Sequence, residues 1–123
     1  MPIKEFLLVG CGGALGSMLR YGVSLLIKPG FGFPLNTFIV NMAGSFLIGI
    51  LAGLAAHETK FQQNGYLFLA VGLCGGFTTF SALSLEGIQM LQQQKIGLFL
   101  LYFSLSVILG LILSLFGYMI SSV

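Results

Sequence analysis

The sequence predicts an all-α membrane protein with four transmembrane helices, the third broken mid-span, forming a single domain over residues 1–123. Three observations carry that expectation. Hydrophobic residues make up 57% of the chain and charged ones 7%, too little polar surface to keep so small a domain dissolved in water. Four apolar runs, at about 6–27, 35–56, 66–91 and 97–120, are each long enough to cross a hydrocarbon core of ~30 Å at ~1.5 Å per residue. The third run is breached at 71–86, "VGLCGGFTTFSALSLE", by paired glycines, paired threonines and a serine, and it closes on a glutamate.

The first run carries "GCGGALGSMLRYG". It resembles a signal peptide in position, but it is long, holds Arg20 and lacks a small-residue cleavage site, so a retained helix is expected. Gly12 with Gly16, and Gly13 with Ser17, are small residues four apart that allow close helix packing. A proline- and glycine-rich turn, "KPGFGFP", leads to the second run. There Thr37, Asn41, Ser45, Gly49 and Gly53 recur every four residues and form one ridge. Its lower part reads as a packing strip, its upper part as a row of hydrogen-bonding groups. Asn41 stands out, because an amide brings two donors and an acceptor that all need partners in lipid.

In the third run Gly75 and Gly76 weaken the helix, while Thr78, Thr79 and Ser81 offer competing side-chain bonds. Non-helical backbone at membrane depth is tolerated only where protein buries it or where it lines a cavity. A broken helix presents carbonyls suited to a cation and amides suited to an anion. The breach therefore reads either as an ion site or as a kink whose freed groups are met by threonine hydroxyls. The fourth run repeats a four-residue polar spacing, Tyr102, Ser106, Gly110 and Ser114, whose hydroxyls can instead bond carbonyls of the preceding turn. Hairpin connections bring Arg20 and Glu86 toward the same face, either as an ion pair or as an electropositive mouth that draws anions.

Lysines and arginines give little sense of up and down. Lys4 and Lys60 fall on one side, and Lys28 and Lys95 on the other with Arg20 near that end of its helix. Such a weak bias, in a chain too short to enclose a polar path, predicts an antiparallel, dual-topology homodimer. Cys11 and Cys74 form no CxxC pair and read as small buried hydrophobes. His57, beside Glu58, reads as a solvated loop residue. No metal cluster, activated nucleophile or phosphate loop is present, so an enzyme is not expected, and a net charge of +2 points to no nucleic-acid role.

The stretches "GGALGSMLRYG", "NTFIVNMAGSFLIG" and "GLCGGFTTFSALSLE" together resemble the hallmark segments of the CrcB/Fluc fluoride channels, in order and across nearly the whole chain. The resemblance implies a passive fluoride-selective channel that exports cytoplasmic fluoride and so relieves its toxicity. It implies a multi-pass protein of the inner (plasma) membrane, an antiparallel homodimer with two pores along the subunit interface. It also implies a structural sodium ion at the dimer centre, held by backbone carbonyls at Gly75 and Thr78. On the same footing Asn41, Phe80, Tyr102, Ser106, Thr37, Thr79 and Ser81 belong to the fluoride pathway, with Arg20 and Glu86 near its ends. Three positions depart from the family pattern: Leu83 replaces a second pore phenylalanine, Gly110 a frequent hydroxyl, and Asn36 a common glycine. A small dual-topology, proton-coupled multidrug-type exporter shares the size and helix count. It would need a membrane-embedded acid in the first helix, where this chain has Arg20, and it usually carries tryptophan, which this chain lacks.

Overall fold

The computed structural model describes residues 3–28, 30, 32–57 and 64–122. The chain runs through α1 (Ile3–Leu26), α2 (Leu35–His57), a π-helical segment (Leu67–Cys74), α3 (Gly75–Phe77), α4 (Phe80–Gln92) and α5 (Ile96–Ser121). Four stretches are long and apolar enough to cross a membrane: Ile3–Leu26, Leu35–Ala56, Leu67–Gln92 and Ile96–Ser121. His57 therefore ends α2 instead of standing in a loop, while Glu58 and Lys60 lie outside the described residues.

The third span is assembled from three helical pieces. Its first eight residues, "LFLAVGLC", wind as a π-helix, and the N–H of Gly75 reaches back five residues to the Ala70 carbonyl. Wide turns of this kind are rare overall and frequent at functional sites. After α3 the helix stops. Thr78 turns extended at φ −84° and ψ 157°, and Thr79 follows at φ −152° and ψ 121°. The break expected between the glycines and the serine thus falls on the two threonines.

Packing explains the small residues. α1 lies along the first half of the third span. A Cβ at Gly12 would come 2.9 Å from the Leu73 nitrogen, and one at Gly16 would come 2.7 Å from the Phe77 nitrogen. Backbone meets backbone here, as small-residue interfaces permit. Ser17 takes no part in this strip and faces outward. α2 lies along α5, and their four-spaced ridges do meet. Ser114 Oγ donates to the Ser45 carbonyl at 2.8 Å, and a Cβ at Gly49 would fall on the Ser114 carbonyl. For Ser45, Gly49 and Ser114 the ridge is interhelical adhesive.

Two apolar clusters flank the break. Leu51, Ala70 and Cys74 form one, and Leu83, Met90 and Tyr102 form the other, with Phe33, Phe38, Phe99 and Phe103 around it. Phe33 is delivered by the tight turn before α2. Gly30 and Phe33 exchange backbone bonds of 3.1 and 2.9 Å, and Gly32 takes φ +77°, a conformation that suits glycine. Leu100, Leu101, Ile108 and Leu111 of α5 face outward, a surface matched to lipid and not to water.

Candidate functional site

Breaking a helix orphans backbone groups, and the neighbours of Thr78 and Thr79 show where they go. The Thr78 amide and its Oγ1 both donate to the Cys74 carbonyl at 2.9 Å. The Thr78 methyl sits over Gly44, where any Cβ would collide with Thr78 Cγ2. The Thr79 amide is taken by Asn41 Oδ1 at 3.0 Å, and Asn41 Nδ2 donates back to the Thr79 carbonyl at 3.4 Å. One side-chain amide thus replaces a backbone partner on both counts. Thr79 Oγ1 accepts the Ala82 amide at 3.1 Å, capping α4, and lies 2.9 Å from Ser81 Oγ.

This arrangement has a consequence for Gly75. In an unbroken helix its carbonyl would accept the Thr79 amide, which here belongs to Asn41. Gly75 also lies on an open surface, with nothing but its chain neighbours and its own helix's backbone within 4 Å of where a Cβ would stand. The extended ψ of Thr78 turns its carbonyl away from the helical path. Among the described residues no three His, Cys, Asp or Glu side chains gather as a metal site. Backbone oxygens at the break are the groups that suit a hard cation, as unwound carbonyls do in transporters.

Beside the break lies an open cleft of about 450 Å³, lined by Asn41, Thr79, Phe80, Leu83 and Ser106 among others. Two of the lining residues keep a donor unspent. Asn41 has two amide hydrogens and uses one on Thr79. Ser106 Oγ is buried and has no hydrogen-bond partner. Phe80 is 76% exposed, so its ring edge is free to meet an anion. Leu83 is buried in the cluster of Met90 and Tyr102 and forms only a wall of the cleft.

Thr79 also borders a second hollow of about 200 Å³, with Arg20, Ser24, Thr37 and Glu86. The Glu86 carboxylate is gripped from both sides, by Thr37 Oγ1 at 2.5 Å and by Tyr102 OH at 2.9 Å. Tyr102 has no exposed surface, and it reaches the hollow through Glu86. Arg20 gives its Nε–H to the Gly76 carbonyl at 3.2 Å. The ion pair between Arg20 and Glu86, left open by the sequence, is therefore not formed. Each partner is satisfied elsewhere. A third hollow of about 270 Å³ follows beyond Glu86, toward Gln89 and Gln93.

The structure brings Asn41, Thr79, Phe80 and Ser106 to one cleft, and Arg20, Thr37, Thr79 and Glu86 to the next. Ser81 touches the group through Thr79. Sequence reasoning missed Gly44, the seat of Thr78, and Gly76, the acceptor for Arg20. Gly44 had a faint signal in its place three residues after Asn41. A backbone acceptor has none.

Comparison with known proteins points to one family. A family model described as "CrcB-like protein, Camphor Resistance (CrcB)" matches residues 7–118. A protein of Thermus thermophilus named "Fluoride-specific ion channel FluC" is 48% identical over 120 residues, covering 96% of this chain and 94% of its own. Proteins of the same name from Azobacteroides pseudotrichonymphae and Flavobacterium psychrophilum are 44% and 43% identical over 121 residues. Each alignment covers 97% of this chain, and 97% and 98% of those relatives respectively.

Proposed function

The chain belongs to the CrcB family, and from that premise we infer that it is a fluoride-specific ion channel and not an enzyme. It is a multi-pass membrane protein with four membrane-crossing helices. The observation that carries the reading is the pair of uncommitted donors, the spare amide hydrogen of Asn41 and the orphaned Ser106 hydroxyl, on residues that line one cleft beside the broken third span.

Fluoride is small and holds its water strongly. A path must return hydrogen bonds as water is stripped, and donors fixed in advance do so without reorganising. Asn41 is such a donor, because the Thr79 backbone holds its amide in place. Ser106 and the exposed edge of Phe80 extend the track. In this reading Arg20 raises the positive potential at one end of the path, and Thr37, Glu86 and Tyr102 form a hydrogen-bonded wall along it.

We propose further that two copies associate antiparallel in the inner (plasma) membrane, with two pores at their interface. The open surface at Gly75, Phe80 and the cleft supports a second copy approaching there. Each copy would offer the Gly75 and Thr78 carbonyls to a central structural sodium ion, a fixed cation that raises the potential felt by passing anions. Passive export of cytoplasmic fluoride would relieve its toxicity. The proton-coupled exporter finds no support in α1, whose acid, Glu5, is exposed in the first turn.

The test is efflux from proteoliposomes loaded with fluoride and carrying the purified protein. Release is expected once a potassium ionophore balances charge, with no proton gradient. Vesicles that retain fluoride, or that release it only against an imposed proton gradient, would overturn the reading.

A further inference from the structure

We infer that Arg20 holds the break in the third span open by bonding the Gly76 carbonyl through its Nε–H, which makes it a positioning residue of the ion path. The inference rests on the channel reading above and gives Arg20 a second task beside its charge. In an unbroken helix the Gly76 carbonyl would accept the amide of Phe80, four residues on. Thr78 and Thr79 are extended and carry Phe80 off that helical path. The carbonyl left behind takes the Arg20 Nε–H at 3.2 Å. Beyond the break, the Thr79 peptide is taken on both its groups by Asn41. Side chains of two other helices therefore hold the two sides of the break, Arg20 from α1 and Asn41 from α2.

The glycines of α1 explain how Arg20 reaches the break. Gly16 lies one turn before it, and a Cβ on Gly16 would stand 2.7 Å from the Phe77 nitrogen and 3.1 Å from the Gly76 carbonyl carbon. From the other side, a Cβ on Gly76 would collide with the Gly13 carbonyl. Bare backbone on both helices brings α1 against the end of α3, and the next turn of α1 sets a long side chain beside the break. Arg20 is half-buried there, where a carbonyl without a donor is costly. Remove the donor, and the Gly76 carbonyl has one natural replacement, the Phe80 amide of a continuous helix. Annealing the helix in that way would take the Thr79 amide from Asn41 and move Phe80 away from the cleft. The Arg20 bond opposes it, and so keeps Asn41, Thr79 and Phe80 grouped around the cleft.

Two neutral variants isolate the bond, because both lose the charge. In Arg20→Gln the side-chain nitrogen stands as many bonds from the backbone as the arginine Nε, so the donor is kept. In Arg20→Met a methyl group stands at that place. Fluoride efflux from proteoliposomes is measured per folded protein, with gel-filtration elution and a melting curve in detergent. Arg20→Gln is expected to release fluoride at least about fivefold faster than Arg20→Met, the factor that one net hydrogen bond is worth. A smaller ratio between the two would overturn the proposal. So would a Met variant that melts lower yet conducts like the Gln variant, because the bond would then serve stability alone. If Arg20→Met does not elute as folded protein, Arg20→Leu decides in its place. A wild-type protein that releases no fluoride defeats the channel reading itself, an outcome seen before any variant is compared.

Discussion

Asn41 does two things at once, and one substitution parts them. Its Oδ1 accepts the Thr79 amide at 3.0 Å, its Nδ2 donates to the Thr79 carbonyl at 3.4 Å, and the residue lines the cleft with a second Nδ2 hydrogen uncommitted. Asn41→Asp preserves the acceptor for the Thr79 amide but not the donor to the Thr79 carbonyl. It removes both donors and places a carboxylate where the anion must lose water. A hydrogen bond to a charged group contributes ~1.5–3 kcal/mol, and each ~1.4 kcal/mol is a factor of ten. Losing the donor alone should slow fluoride passage by roughly ten- to a hundredfold, and like-charge repulsion adds to that. Asn41→Ala makes a useful partner. It leaves the Thr79 amide without its acceptor, which costs about 1–3 kcal/mol of stability, so it should lower the melting temperature in detergent. The assay is fluoride-electrode efflux from proteoliposomes, run with a melting curve on the same preparations. An Asp variant that is folded and conducts within twofold of wild type would refute the claim that the Asn41 donor touches the ion.

The remaining predictions concern the scaffold and the proposed cation. Gly44→Ala drives a methyl into Thr78 Cγ2; overpacking of this kind costs ~1–3 kcal/mol, so a lower melting temperature and slower efflux are expected, and unchanged values for both would show that the seat is loose. Thr79→Val removes the cap that accepts the Ala82 amide, at a cost of about 1 kcal/mol, visible as a lowered melting midpoint with helix content by circular dichroism nearly intact. Exchanging sodium for a large organic cation on both sides of the vesicle should depress efflux and recover on readdition. Full activity after exhaustive exchange would argue against a sodium ion at Gly75 and Thr78.

Much of this architecture was legible because lipid punishes polar groups. The four spans follow from apolar runs of sufficient length, and the break follows from glycines and threonines placed where no water can repair a helix. Asn41 was visible for the same reason, as an amide with nowhere to go in hydrocarbon. The rest was hidden by uniformity or by distance. "LFLAVGLC" reads the same as an α-helix or a π-helix, because a segment apolar all round has no periodicity to shift. Opposite charges at one end of the molecule leave Arg20 and Glu86 open to an ion pair or to an electropositive mouth. The acceptor Arg20 chose is the Gly76 carbonyl, which no side chain announces. Gly44 stands off the four-residue ridge, and its partner Thr78 is distant in sequence. Leu83 stands where the resemblance expects a second pore phenylalanine, and its burial beside Met90 and Tyr102 gives it a packing role.

The central claim is that a fixed set of donors beside a broken helix lets fluoride cross passively and on its own. The most direct measurement is the reversal potential of current through the purified protein in a planar bilayer, under a fluoride gradient with chloride present and the pH varied on one side. The account predicts reversal at the fluoride equilibrium potential, unmoved by chloride or by pH. A reversal that tracks chloride, or that shifts with the proton gradient, would contradict it.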